Sequence, residues 1–378
     1  MGRVFGLDVH NRYVHGYEWH EGQGRHFRFA NTPEDWNSFL STVTSGDEVA
    51  LEATGSAFAL YYRIAPHVRR VVVANPLEMR RLGSGRHTDR VDAERLVFMV
   101  LLGTLKEVWV PPTPIAELRR LLQYRERIQN GITRLSNQIW ATLRGLGVAT
   151  AGGDPLKLLA QDDIEVLPTA ERVIVLSALR RLETERRELA ILDAEIARQT
   201  RDVPEVRLLL SIPGVGRIVA AQIYAALGDA RRFRTPRQVA RYAGLDPTVV
   251  QSGDRSYRGH ISKNGSRLLR RAMVEAAHII ALHDCGSLRE FYRRKVDELG
   301  YTKTIVALAR KLLIVAWRVL VTGEPYRAVR PSLWETKQRQ LTRLAGRVDQ
   351  EAEAVLLRLP RRGHSYVALV LSRQATTG

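Results

Sequence analysis

Three strand-like runs open the chain, Val4–Val9, Tyr13–Trp19 and Arg25–Ala30. The short polar stretches between them, Asn11-Arg12 and Glu21-Gly22-Gln23-Gly24, suit the turns of a meander. Pro33–Val43 has helical spacing, with Thr32 as its cap and Pro33 at its first position. Strands at Val49–Glu52 and Val71–Ala74 then alternate with helices at Ala57–Ile64 and Asp89–Leu102. From 113 to 148 apolar residues recur near helical period (Leu118, Leu121, Leu122, Ile128, Ile132, Leu135, Ile139, Leu143), interleaved with arginines, until Gly145 and Gly147 break the pattern. A second long helix is expected over Thr169–Thr200, and two long charged helices joined by a turn predict an antiparallel coiled-coil arm. Periodicity alone fits two ordinary bundle helices equally well. Beyond Val206 the pattern is compact and helical around a turn cluster at Gly244–Gly259. The tail carries one further helix, Ser332–Leu357, a basic turn at Arg361-Arg362-Gly363 and an apolar stretch at Tyr366–Leu371.

The expected organisation is a mixed α/β domain at 1–108, a helical linker at 109–203, an all-α domain at 204–330 and a basic tail at 331–378. Charge sharpens the division. Residues 1–104 hold 12 basic and 12 acidic side chains; of the chain's 58 Lys+Arg and 40 Asp+Glu, 46 and 28 lie beyond them, the whole of the +18 net charge. A neutral domain beside a basic remainder suits chemistry in one part and phosphate-backbone binding in the other. An Arg-rich composition without a polyanionic partner is the plainer alternative. The single cysteine, Cys285, excludes a disulfide framework and a CxxC zinc site and points to a reducing, cytoplasmic setting. No signal peptide is expected at the start, and the apolar helix Ile305–Val321 is interrupted by Arg310, Lys311 and Arg318, so no membrane partner is expected.

Four acids stand at element boundaries: Asp8 closes the first strand, Glu52 closes the fourth, and Asp89 and Asp92 form an i, i+3 pair opening a helix. Each alone reads as a turn, cap or first-turn residue. Together they can converge on hard cations, and two Mg²⁺ ions can clamp the attacking and leaving oxygens of a phosphodiester. Three consecutive strands followed by alternation, with acids at strand ends and no GxGxxG, match an RNase H-like sheet better than a Rossmann domain.

Two further segments suit phosphate. Ile212-Pro213-Gly214-Val215-Gly216 fits a helix-hairpin-helix turn, in which Gly214 and Gly216 expose amides to a phosphate without reading sequence. The segment Gln251–Arg267 mixes hydroxyls, glycines and cations in an expected loop before a helix N-terminus, an anion-binding arrangement with Arg255, Arg258, Lys263 and Arg267 as phosphate-neutralising candidates. The alternatives are an unliganded turn and a solvated basic loop.

Gly6-Leu7-Asp8-Val9-His10, Leu51-Glu52-Ala53-Thr54-Gly55 and Thr88-Asp89-Arg90-Val91-Asp92-Ala93 resemble the acidic motifs of the DEDD transposases of bacterial insertion sequences, the group that includes the Piv-type invertases. The resemblance continues through Ile212–Gly216, Tyr242-Ala243-Gly244-Leu245, Ser252-Gly253 and Gly259–Gly265, in order, over roughly residues 3–323. It implies a RuvC-like N-terminal domain, a coiled-coil linker used in oligomerisation and a C-terminal transposase domain. It also implies DNA cleavage and rejoining guided by a structured RNA from the element's own non-coding end. Asp8, Glu52, Asp89 and Asp92 would then hold Mg²⁺, and Ser252 matches the family's serine nucleophile, which forms a phosphoserine link to DNA. Acids and serine of one working site come from different protomers in that family, so a dimer or tetramer is implied. The chain departs from the pattern after Ser252-Gly253, where Asp254 and Arg255 replace a glycine and a lysine; this makes Ser256 the rival nucleophile. The tail beyond Pro331 matches nothing in the pattern. Two other functions fit the residues: a metal-only junction endonuclease using water, and a non-catalytic nucleic-acid-binding protein.

Overall fold

The computed structural model describes residues 2–76, 79, 88–148, 152–252, 255–284 and 286–347. They form two compact units, one ending at Pro111 and one beginning at Pro112.

The first unit is a mixed five-stranded sheet. Strands β1 (Val4–Val9), β2 (Tyr13–His20), β3 (Gln23–Ala30), β4 (Glu48–Glu52) and β5 (Arg70–Ala74) lie in the order β3-β2-β1-β4-β5. The first three pair antiparallel, and β1, β4 and β5 run parallel. The β2–β3 turn is tighter than the four residues the sequence suggests. Glu21 and Gly22 both take positive φ (47° and 84°), the geometry of a two-residue hairpin whose twist matches its strands, so pairing runs out to His20 and Gln23. Helices α1 (Pro33–Thr42) and α2 (Ala57–Ile64) cover one face, where Phe5, Leu7, Trp36, Phe39, Val49, Leu51 and Ile64 form the core. Thr32 caps α1 by accepting from the Asp35 amide, as its position predicts. Helix α3 (Asp89–Leu101) packs on the other face. Its approach is close enough that a Cβ on Gly6 would overlap the Ala93 carbonyl oxygen.

The second unit is helical. Helices α4 (Thr113–Gly145) and α5 (Thr169–Thr200) lie antiparallel: Arg125 pairs with Asp193 at 2.5 Å, while Leu143 at the far end of α4 shares a core with Val175 at the start of α5. The predicted stripe is the buried one, with Leu118, Leu122, Ile132, Leu135, Ile139 and Leu143 inside. There follow α6 (Pro204–Leu209), α7 (Arg217–Leu227), α8 (Pro236–Tyr242), α9 (Arg267–His283), α10 (Ser287–Leu299), α11 (Tyr301–Thr322) and α12 (Pro331–Ala345). Their common core includes Leu209, Ile212, Ile223, Met273, Ile280, Leu308 and Leu312.

The expectation of an all-α domain here needs correction. Strands β6 (Pro247–Ser252) and β7 (Arg255–Ile261) pair antiparallel inside the segment read as a loop, with Val250 opposite Tyr257. The β-branched run Thr248-Val249-Val250 and the Tyr257 and Ile261 side chains favour extended backbone more than the intervening glycines and hydroxyls oppose it. No helix among the described residues is long and apolar enough to cross a membrane. The expected tail helix is observed only as Pro331–Ala345; its predicted continuation to Leu357, the basic turn and the last apolar stretch lie outside the described residues, as does Cys285.

Candidate metal centre and nucleic-acid contacts

Asp8 lies near the carboxyl end of β1, and β4 ends at Glu52, one step beyond the registered pair Leu7–Leu51. Parallel neighbours at equal register project side chains to the same face, which sets Glu52 beside Asp8 on the sheet. Helix α3 supplies Asp89 and Asp92 from its first turn. Its cap is Thr88, which accepts from the Val91 amide, so the Asp89 carboxylate is not needed for capping. Gly6, two residues before Asp8, is the position that lets α3 come down onto β1.

The carboxylates meet around an imidazole. His10 Nε2 lies 3.1 Å from Asp8 Oδ2 and 3.4 Å from Asp89 Oδ2. The Tyr13 hydroxyl donates to Asp89 Oδ2 at 2.8 Å, and the Arg28 guanidinium stacks on the Tyr13 ring at 3.8 Å. Burial, together with the charges of Asp89 and Asp92, pushes the Asp8 carboxyl above its ordinary range against the pull of His10. The hydrogen bond from Tyr13 holds Asp89 below its ordinary range. Asp92 sits against Arg95 at 3.2 Å. One carboxylate is thus costly to ionise and its neighbour is held ionised.

Asp8, His10 and Asp89 each place a ligand atom within 4.8 Å of the other two. Carboxylate oxygens with one imidazole nitrogen suit a hard or borderline divalent ion such as Mg²⁺ or Mn²⁺. A cation would also offset the burial and the neighbouring charges that raise Asp8. The residues therefore fit a divalent metal.

His10 and Tyr13 were not assigned roles from the sequence. His10 stood inside the first acidic motif, and its spacing of two from Asp8 on an extended segment was the available signal. Tyr13 offered none, because its partner lies 76 residues away.

The two glycines of the hairpin turn between α6 and α7 differ. Gly214 has φ +72°, and a Cβ there would lie 2.7 Å from the Ala276 carbonyl oxygen, so backbone conformation and packing on α9 both require it. Gly216, exposed at the start of α7, has open space where a Cβ would stand and provides no side-chain cap for the first amides of that helix. Lys263 is exposed at φ +54°, and exposed Arg267 begins α9 after its cap Ser266. Ser252, Arg255, Ser256 and Arg258 fall on β6 and β7, where only the backbone is described; Gly253 and Asp254 lie outside the described residues.

Comparison with known proteins adds an independent line. Residues 5–147 match a model of DEDD transposases of the IS110 type, and residues 206–293 match the model described as the transposase IS116/IS110/IS902 family. The transposase for insertion sequence element IS1111A of Coxiella burnetii is 28% identical over 310 residues, covering 76% of this chain and 82% of the relative. A putative transposase of Sinorhizobium fredii is 30% identical over 284 residues, 67% of this chain and 71% of the relative. A pilin gene-inverting protein of Moraxella bovis is 31% identical over 142 residues, 36% of this chain and 44% of the relative.

Proposed function

The chain belongs to the IS116/IS110/IS902 family of transposases, and from that premise we propose a Mg²⁺-dependent transposase-recombinase that cuts and rejoins DNA through a phosphoserine at Ser252. The observation that carries the reading is the gathering of Asp8, His10 and Asp89 at one end of the sheet, within the span that matches DEDD transposases. An RNase H-like, RuvC-like first domain is supported by the strand order β3-β2-β1-β4-β5, with three antiparallel strands followed by two parallel ones.

Asp8, Glu52, Asp89 and Asp92 would hold the metal, which when bound supplies positive charge that polarises a scissile phosphate and favours ionisation of a hydroxyl. Tyr13 keeps Asp89 ionised for that task, and His10, whose Nε2 lies against both Asp8 and Asp89, would add a nitrogen ligand. The Ser252 oxygen would bond to phosphorus as the deoxyribose oxygen departs with a proton. The ester retains the energy of the phosphodiester, so the reverse attack rejoins strands without ATP. Arg255, Arg258, Lys263, Arg267 and the amides after Gly216 would neutralise or bind backbone phosphates without reading bases. A structured guide RNA would supply sequence choice, and the α4–α5 arm would pair protomers into a dimer or tetramer.

The test is a denaturing gel of protein incubated with donor DNA, guide RNA and Mg²⁺. A covalent protein–DNA adduct is expected, lost in Ser252→Ala while nucleic-acid binding persists. Cleavage without adduct at any time would replace the serine with water. An adduct retained in Ser252→Ala and lost in Ser256→Ala would move the nucleophile.

A further inference from the structure

Helix α12 lies beyond the motifs that carry the family resemblance, yet it reaches back to the hairpin turn. Its Lys337 Nζ donates to the carbonyl oxygens of Leu210 at 3.0 Å and Ile212 at 2.9 Å. One turn earlier on the same face, Trp334 Nε1 donates to the Arg207 carbonyl at 2.8 Å. These carbonyls end α6 and enter the turn, where the helix presents the negative end of its dipole and its last acceptors need partners. Ser211 closes the same set, donating to the Leu208 carbonyl at 2.6 Å while it accepts from the Tyr326 amide at 2.9 Å.

Lys337 lines, together with Gly214, Gly216, Asp284 and Arg330, a cavity of about 300 Å³. Burial pushes the Lys337 ammonium down to about 8, with Asp284 opposing, so it still carries its charge near neutral pH. Arg330 pairs with buried Asp284 at 2.8 Å. A point charge held between two carbonyl oxygens at these distances occupies the position that a dehydrated monovalent cation would take.

We propose that Lys337 is the hairpin's tethered cation: its ammonium fills a monovalent-cation site formed by the Leu210 and Ile212 carbonyls, and the turn presents its amides to a nucleic-acid phosphate only while that site is filled. Lys337 is a positioning residue, acting through the turn. The second clause rests on the reading of the hairpin as a phosphate contact; the first does not.

The experiment compares wild type, Lys337→Ala and Lys337→Met in potassium chloride and in tetramethylammonium chloride at equal ionic strength. The larger organic cation cannot enter between the carbonyls. Thermal unfolding reads the cation site, and anisotropy with a short duplex DNA reads phosphate binding. Wild type is expected to melt and to bind alike in both salts. Lys337→Ala melts lower and binds about tenfold more weakly in tetramethylammonium chloride, and potassium restores most of both. Lys337→Met, which keeps the stem volume and excludes an ion, is rescued by neither salt. Should Lys337→Ala be unfolded in tetramethylammonium chloride, the proposal requires it to fold in potassium chloride. Equal behaviour of Lys337→Ala in the two salts overturns the proposal. A wild type that binds no duplex removes the second clause and leaves the melting data to decide the first; a protein that binds duplex yet forms no covalent adduct counts against the serine mechanism alone.

Discussion

Strand β4 begins at Glu48 and ends at Glu52, and the two ends of the sheet it crosses treat their acids in opposite ways. At the first end every buried carboxylate has arginine. Asp47, 2% exposed, takes the Arg3 guanidinium at 2.7 Å, the Arg3 amide at 2.8 Å and the Thr44 amide at 2.8 Å. Glu48 is paired with Arg69 and Arg70. At the second end Asp8 and Asp89 crowd together around His10 and Tyr13. Acids that are neutralised within the fold contribute to its stability; acids crowded together cost stability and have capacity left for a cation. The contrast separates structural from functional carboxylates in one sheet.

The sharpest way to break it is the pair of isosteric changes Asp8→Asn and Asp47→Asn. Asp8→Asn is expected to lower DNA cleavage at least about 100-fold with no loss of melting temperature, since it removes a charge that burial and the neighbouring acids already oppose. Added Mg²⁺ should raise the melting temperature of the wild type and leave that of Asp8→Asn unmoved. A variant that loses stability instead of cleavage would put Asp8 with the structural acids.

Next in size is Gly6→Ala, which tests how the second end is assembled. A Cβ there overlaps the Ala93 carbonyl oxygen, so α3 must move away from β1, carrying Asp89 and Asp92 with it. Overpacking of this kind costs about 1–3 kcal/mol. The measurement is thermal unfolding with and without Mg²⁺: both a lower melting temperature and a smaller Mg²⁺-induced rise are expected. A lower melting temperature with a full Mg²⁺ response would mean that the close approach of α3 serves packing alone.

How much of this contrast was legible in the sequence depended on where each residue's partner lies. Helices Ala57–Ile64 and Thr169–Thr200 and the Thr32 cap were readable because apolar period and capping chemistry are local. The β6–β7 hairpin was not, because its glycines and hydroxyls signal loop as strongly as Val249 and Val250 signal strand. Glu48 and Glu52 look alike at the ends of one apolar run; only the spatial arrival of Arg69 and Arg70 at one and α3 at the other distinguishes them. The acids could be picked out because carboxylates at element boundaries form a pattern of residue types. Lys337 could not, because its partners are backbone carbonyls 127 and 125 residues upstream, which any sequence would supply.

Asp47→Asn supplies the other arm of the comparison. Burial alone would raise the Asp47 carboxyl, but hydrogen bonds from Arg3 and Thr44 outweigh it and hold the group below its ordinary range. A depressed carboxylate contributes stability that is present above its unfolded pKa, near 3.9, and is lost as pH falls through the lower folded value. The substitution should therefore cost about 1–3 kcal/mol at neutral pH. That gap should close as the medium is acidified through the carboxylate range, with cleavage per folded molecule unchanged. A gap independent of pH would assign the loss to packing, not to the ion pair.

The smallest expected effect comes from Tyr13→Phe, and it tests the functional end from the side of its hydrogen bonds. The phenol donates to Asp89 Oδ2, and that bond is the leading cause of the lowered Asp89 carboxyl. Removing it lets Asp89 rise toward its ordinary range, still ionised at neutral pH, so charge at the centre is nearly unchanged there. Cleavage at neutral pH should fall only a few-fold, through looser positioning of one carboxylate. The acidic limb of the pH–rate profile should move to higher pH, because Asp89 now takes up its proton earlier on acidification. A profile that keeps its shape while its height falls would leave Tyr13 as a wall of the site and remove Asp89 from the groups whose ionisation the reaction reads.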